Sequence, residues 1–388
     1  MAIFYIHIGT HKTGTTTLQN FLYNNRQELA ARNIVYPEEG LHKGLKGHHP
    51  IAFKLANRKR LMGQDITHIQ VDDAFRSFSG LLAEGRSVLL SCEDFAGFSV
   101  TKAPNLPSRI AKLLPKYTSF RVIVYLRRQD RFLNSYYAMQ RKGERLRPVS
   151  LDLKYARNNP YLPYSRLLTR WESVFGRDSI VVRPFEKESL VAGDLIDDFL
   201  EQIGIDSFTG KREKTSNLNV ALTGRKLQVI DYIRDVVKGP SSAVGAFSRQ
   251  FVERYAEELK LDQGGTDFIS PELASKILEA SSRDNQEIAR RYLGREHLFL
   301  NSSVSERYQV PQALTVGELE EIRSLVTTDL ALFGDEASSN AVSGSAGSLR
   351  HLKLRSGFAR KHVYIGNFRF SVGRLLRIGR VLKARFAQ

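Results

Sequence analysis

The sequence predicts an α/β fold: a central parallel sheet flanked by helices, with a helical C-terminal portion. Three observations carry this. Short apolar runs of strand length recur in the first half, at Ile3–Ile8, Ser87–Ser91 (S-V-L-L-S) and Arg121–Leu126 (R-V-I-V-Y-L). Their near-continuous hydrophobicity is that of strands covered on both faces. Helical patterns alternate with them, which is the order of a parallel sheet with crossover helices. Finally, the first run passes through Gly9 and Gly14 directly into an amphipathic pattern opened by Thr15, Thr16 and Thr17.

In chain order, Ile3–Ile8 reads as a strand, Gly14–Ala31 as a helix and Ile34–Tyr36 as a short strand. A polar loop, L-H-K-G-L-K-G-H-H-P, runs to Pro50. Helices are expected at Ile51–Arg58 and Val71–Ala83, and a strand at Ser87–Ser91. A helix around Ser108–Leu114 leads to the strand Arg121–Leu126, and Arg128–Arg141 reads as a helix. Tyr164–Phe175 is helical, Ser179–Val182 is a strand and Leu190–Ile203 is helical again. Beyond Asn217 the pattern is mostly helical, clearest at Val220–Val237, Pro271–Tyr292 and Val316–Ala331. Residues 1–334 are therefore expected to form one domain, an α/β core over 1–205 and a helical portion over 206–334. The small, polar stretch 335–349 reads as a flexible linker, and 350–388 as a basic amphipathic tail.

The chain has 388 residues, 42% of them hydrophobic, with 22 Phe and 15 Tyr, enough for a large folded core. Cys92 is the one cysteine, so no intrachain disulfide forms, which fits a reducing compartment. The first strand begins at Ile3 with no signal-peptide pattern before it, and no apolar run reaches the ~18 residues of a spanning helix. A cytoplasmic protein is expected. The net charge of +17 is unevenly placed. No acidic residue follows Glu336, and eleven Lys and Arg lie between Arg350 and Arg385, leaving +6 to residues 1–336.

The stretch Tyr5–Gln19, Y-I-H-I-G-T-H-K-T-G-T-T-T-L-Q, carries most of the chemistry. A glycine turn between a strand and a helix start points free N–H groups at one spot, and the helix dipole adds positive potential. Lys12 and the hydroxyls of Thr15, Thr16 and Thr17 add donors. The product is a cradle for a phosphate-like anion, with Thr13, Gly14 and His11 as further contacts. It is not the ATP-binding loop G-x-x-x-x-G-K-[ST]: Gly9 and Gly14 have the spacing, but Thr15 stands where the lysine belongs. The pattern K-T-G-T-T after a first strand resembles the loop of sulfotransferases that use 3′-phosphoadenosine 5′-phosphosulfate (PAPS). The resemblance implies a P-loop NTPase-like fold, a 5′-phosphosulfate held by this loop, and no metal.

A second basic element follows the strand Arg121–Leu126. Arg127 stands at the strand end and Ser135 eight residues later in a helix. The guanidinium can grip a phosphate with two parallel hydrogen bonds. This resembles the sulfotransferase element that holds the 3′-phosphate of PAPS. Many members have R-N-P here, whereas this chain has R-R-Q; Arg128 and Arg131 are alternatives, and Asp130 and Glu144 could balance the cluster.

Sulfuryl transfer needs alignment, charge stabilisation on the leaving oxygen and a base for the acceptor proton. Lys12 suits the leaving phosphate. Glu93, in the C-E-D that ends S-V-L-L-S, is the first candidate base, because related sulfotransferases place theirs after a strand at about this point. His48 and His49 are the second. His7 alternates with the strand and reads as a packed core group. Cys and His spacing offers no convincing metal-ligand set. Lys211, Arg212 and Lys214 read as a solvated charge run.

Phe368–Phe386 places arginines every three or four positions among apolar residues, the pattern of an interfacial helix on an anionic membrane. The sequence reading is thus a PAPS-dependent sulfotransferase with a saccharide or glycolipid acceptor. It is expected in the cytoplasm, with peripheral attachment to the inner membrane face through the tail, and without specific nucleic acid binding. Its rivals are a nucleotide or sugar kinase of the P-loop type, with L-L-S-C-E-D as a metal-binding strand end, and a non-catalytic anion-binding scaffold at a membrane.

Overall fold

A computed structural model of the chain describes residues 2–42, 44–142, 151–212, 222–263, 265–301, 304, 310–335, 352–354, 362–365 and 368–371. The chain forms two compact units. One is Met1–Phe132, Ala156–Leu218 and Lys276–Ser303; the other is Leu133–Tyr155, Asn219–Ser275 and Val304–Gln388.

The first unit is built on five parallel strands. These are β1 (Ile3–His7), β2 (Ile34–Val35), β5 (Ser87–Ser91), β6 (Ser119–Leu126) and β7 (Ile180–Pro184), in the order β2-β5-β1-β6-β7. Between β2 and β5 lies a small antiparallel pair, β3 (Arg60–Leu61) with β4 (Gln64–Asp65). The alternation of strand side chains divides the core. Phe4, Ile6, Leu90, Val122 and Val124 face one layer with Phe75, Phe78, Phe95, Leu106, Leu167 and Trp171. Tyr5, Leu89, Ile123 and Tyr125 face the other, with Leu18, Phe21, Leu22, Ile196 and Phe199. Helices thus cover both faces, as the unbroken apolar strands predict. In chain order β1 connects to β2 on one side of the sheet, while β6 connects to β7 on the other. Neighbouring β1 and β6 therefore feed connections in opposite directions, and the crevice at such a switch point is where open α/β sheets bind ligands.

Helix boundaries differ from expectation where tertiary contacts intervene. The helix expected over Gly14–Ala31 is two, α1 (Thr15–Asn24) and α2 (Arg26–Ala30). Asn25 breaks it, its side-chain amide donating to the Phe21 and Lys211 carbonyls at 2.8 and 3.0 Å. Next come α3 (His49–Leu55), α4 (Val71–Ala83), α5 (Asp94–Val100), α6 (Leu106–Lys112), α7 (Gln129–Lys142), α8 (Leu153–Arg157) and α9 (Tyr164–Phe175). Helix α10 (Leu195–Gln202) starts later than Leu190 because Asp194 caps it, accepting from the Ile196 and Asp197 N–H groups.

In the second unit, α11 (Gly224–Val236) packs on α12 (Ser241–Arg254) and α14 (Val316–Asp335). The helix α13 (Pro271–Ile288), which belongs to the first unit from Lys276 onward, ends earlier than Tyr292, giving way to a π-turn over Ala289–Leu293. Buried Arg141 is ion-paired with buried Asp231. A strand β8 (Val237–Lys238) pairs antiparallel with β9 (Lys353–Leu354). The helix expected from Phe368 does not start there. Phe368–Ser371 is a strand, β11, antiparallel to β10 (His362–Ile365), with Phe368 opposite Ile365 and Phe370 opposite Val363. H-V-Y-I and F-R-F-S alternate with period two and are rich in β-branched and aromatic residues, which outweighs the three-to-four spacing of arginines further on. The rest of that predicted helix, and the linker beyond Asp335, lie outside the described residues. Among the described residues, no helix is long and apolar enough to cross a membrane.

Candidate anion-binding and catalytic site

The loop after β1 is sewn to β6. The Ile8 and Thr10 N–H groups donate to the Ile123 and Tyr125 carbonyls at 3.0 and 2.9 Å, and Tyr125 N–H returns a bond to the Gly9 carbonyl at 2.6 Å. The chain then turns through three left-handed residues, Gly9 (φ +93°), Lys12 (φ +67°) and Gly14 (φ +75°). Such turns fold successive N–H groups toward one concavity. Gly9 is required for a second reason: a Cβ there would lie 2.7 Å from Glu93 Cβ and 2.9 Å from its Cα. The loop is therefore pressed against the end of β5.

Not every threonine faces a ligand. Thr13 is buried and its hydroxyl donates to the Thr10 carbonyl at 2.6 Å, which spends the one proton a hydroxyl can give. Thr13 braces the loop instead. Thr15 is buried at the helix start, Thr17 is half-buried and Thr16 is exposed.

Arg127 reaches back to this loop. Its Nη1 donates to the Lys12 carbonyl at 2.9 Å, and its guanidinium lies 5.9 Å from the ring centre of Phe185, just past β7. The same Phe185 ring would be 3.5 Å from a Cβ on Gly14. The backbone of Arg127 is fixed by the Tyr164 hydroxyl, which donates to its carbonyl at 2.6 Å. Arg128 is committed elsewhere, gripping buried Asp130 with Nε and Nη2 at 2.8 and 2.7 Å. The basic cluster thus divides into a structural arginine and one that meets the loop. Ser135 lies on α7, in the second unit. Arg212 is paired with Asp197, and Lys214 lies outside the described residues.

The candidate bases separate by environment. Glu93 is half-buried and accepts from Gln19 Nε2 at 2.9 Å, so the helix behind the cradle holds the carboxylate beside Gly9. His48 is fully buried, with Nδ1 accepting from Ser91 N–H at 3.2 Å and Nε2 bonded to the Pro37 carbonyl at 3.1 Å. Both nitrogens are taken by backbone and burial lowers its pKa to about 3, so His48 pins the 37–49 loop to β5 and has no nitrogen left for an acceptor proton. His7 is buried likewise, its Nδ1 2.8 Å from Ser91 Oγ, and its pKa also falls to about 3 through burial. His49 differs: burial opposes its charge, but the 2.7 Å bond to Asp94 Oδ2 and the nearby Glu93 and Asp94 charges outweigh it and raise the pKa. His11 packs edge-on to Tyr161 at 5.3 Å between ring centres, and its Nε2 would be 2.9 Å from a Cβ on Gly97.

Sequence reasoning missed two partners, Gln19 and Asp94. Gln19 carried no signal beyond its place on the first helix, and Asp94 was visible only as the neighbour of Glu93. Only the kinase alternative read metal binding, at L-L-S-C-E-D, and no histidine was joined to it, whereas the fold brings His49, Cys92 and Glu93 together with ligand atoms all within 4.8 Å of one another. His49 and the C-E-D triplet are 43 residues apart, a separation that no spacing rule reads.

No family model matches the chain. It is 26% identical over 209 residues to an uncharacterized protein of Archaeoglobus fulgidus, a match covering 52% of this chain and 55% of that one. The chain spans about half the length of the curated relative it matches. It is also similar to the crystal structure of a sulfotransferase from Alicyclobacillus acidocaldarius, 18% identical, covering 68% of this chain and 98% of that one with a TM-score of 0.31.

Proposed function

We propose that the chain is a sulfotransferase that moves a sulfuryl group from PAPS to a hydroxyl or amine of a saccharide or glycolipid. The observation that carries this reading is the 2.9 Å bond from Arg127 to the Lys12 carbonyl, which joins the two anion-binding elements read from the sequence at neighbouring strand ends. An adenosine phosphorylated at both ends needs two cationic groups within one ligand's length, and ATP has no 3′-phosphate for the second. In this reading the N–H groups of the loop hold the 5′-phosphosulfate and Arg127 attracts the 3′-phosphate. The sulfur–oxygen bond to the donor phosphate breaks as the acceptor oxygen attacks in line. Lys12 stabilises the charge left on that phosphate, and the Glu93 carboxylate takes the acceptor proton. His49, held by Asp94, stands beside Glu93 as a second proton carrier.

Attachment to an anionic membrane through the basic 350–388 tail belongs to the same proposal. Titration calorimetry with 3′-phosphoadenosine 5′-phosphate tests the nucleotide part. Binding should raise the melting temperature, by about 2.7 kcal/mol of stability at a hundred times Kd. No binding at millimolar concentration would defeat the reading.

A further inference from the structure

We propose that His49, Cys92, Glu93 and Asp94 form a binding site for a zinc-type divalent cation at the carboxyl end of β5. The ligand atoms are already near the spacing such an ion imposes. Tetrahedral zinc, with bonds of about 2.3 Å to sulfur and about 2.0–2.2 Å to nitrogen and oxygen, separates its sulfur from each neighbour by roughly 3.6 Å. Cys92 Sγ lies 3.3 Å from His49 Nδ1 and 3.8 Å from Asp94 Oδ2. The Nδ1–Oδ2 pair, now 2.7 Å apart and hydrogen bonded, opens by about 0.6–0.9 Å to admit the ion. The Glu93 carboxylate, within 4.8 Å of the sulfur and the imidazole, completes the set.

The donor types decide which ion. A thiolate and an imidazole with carboxylates suit zinc, whereas magnesium and calcium prefer oxygen alone. The Asp94 backbone N–H already donates to this sulfur at 3.3 Å. Ligation sends the thiol proton to solvent, and the proton shared by His49 Nδ1 and Asp94 moves to Nε2 or leaves with it. Entry is from the His49 and Asp94 side, whose side chains are 13% and 21% exposed, while Cys92 forms the buried floor.

Because Glu93 abuts Gly9, an ion here takes the carboxylate that faces the anion cradle. Binding of the ion stands on the four side chains alone. Its consequence, that zinc silences the base, rests on the sulfotransferase reading.

Cobalt(II) tests the site without any nucleotide. Titrating the full-length protein should give a near-ultraviolet thiolate-to-cobalt charge-transfer band and visible bands of tetrahedral cobalt, both erased by zinc. Cys92→Ser should lose the charge-transfer band, with its fold checked by circular dichroism. Asp94→Asn, with its fold checked in the same way, should weaken binding by about tenfold or more. No charge-transfer band in the wild type, an undiminished band in folded Cys92→Ser, or unaltered affinity in Asp94→Asn would overturn the proposal. Zinc inhibition of transfer is a separate readout, so absence of activity leaves the cobalt result standing.

Discussion

Arg127 and Lys12 meet through a carbonyl, so the arginine both shapes the loop and lends it charge. Replacing it removes a charged hydrogen bond, worth about 1.5–3 kcal/mol. Arg127→Ala should therefore weaken binding of 3′-phosphoadenosine 5′-phosphate by roughly 10- to 150-fold, with Arg127→Lys only partly restoring it because lysine lacks the planar fork. Equal affinity in calorimetry would remove Arg127 from the site. Glu93→Gln keeps the contact with Gln19 but cannot accept a proton. Its kcat should fall about 100- to 10000-fold while nucleotide affinity holds; an unchanged kcat would exclude Glu93 as the base.

The histidines make opposite contributions to stability against pH. His7 and His48 are held near 3 by burial, so the unfolded chain, titrating near 6.5, binds protons the folded one refuses. Their stability is full above about 6.5 and is lost as pH falls, at about 1.4 kcal/mol per pH unit for each group. His49 is raised on balance by Asp94 and Glu93 against the pull of burial, so its contribution is present below about 6.5 and lost as pH rises through its folded value. Asp94 is lowered on balance, with burial outweighed by the His49 bond, so its contribution is lost as pH falls through its folded value. Urea unfolding between pH 7 and 5 should show stability falling toward acid, and His7→Phe should flatten that slope by about one proton. Parallel slopes in the two proteins would contradict the buried, neutral state of His7.

At the scale of elements, the strand-to-helix turn depends on Gly9. Its φ of +93° and the 2.7 Å approach of Glu93 Cβ leave no room for a methyl group. Gly9→Ala should cost about 1–3 kcal/mol in urea unfolding and abolish nucleotide binding, since the loop and the end of β5 must part. A stable, binding-competent variant would mean the turn is not the cradle. Strands β1 and β5 were legible as apolar runs, and α4 and α9 were legible to the residue because amphipathic periodicity is a local property. The break at Asn25 and the late start of α10 were not. A side-chain amide reaching the Lys211 carbonyl leaves no periodic trace, and the Asp194 cap sits inside an apolar pattern that reads on through it.

For the whole molecule, Leu352 is buried and the strand that follows it pairs with Val237–Lys238, so removing the tail from residue 334 onward would also strip packed residues from the second unit. The membrane proposal is better tested by ending the chain after Ser371, which deletes five basic residues. Flotation with anionic liposomes should fall while binding of 3′-phosphoadenosine 5′-phosphate is kept; undiminished flotation would clear this stretch of the role.

The strand, glycine turn and helix start of Ile3–Asn24, the place of Arg127 at the neighbouring strand end and the layered α/β plan were all determined by sequence alone, because each depends on residues close together in the chain and on the periods of strand and helix. Which charges act and which merely hold the fold was decided by tertiary structure. Arg127 and Arg128 are adjacent and alike, yet one meets the loop and the other is locked to Asp130. His48 and His49 are adjacent and alike, yet one is sealed against backbone and the other joins Cys92, Glu93 and Asp94. Neighbours along the chain were sent into different environments by strand pairing, and it is environment that sets the charge and the partners of a side chain.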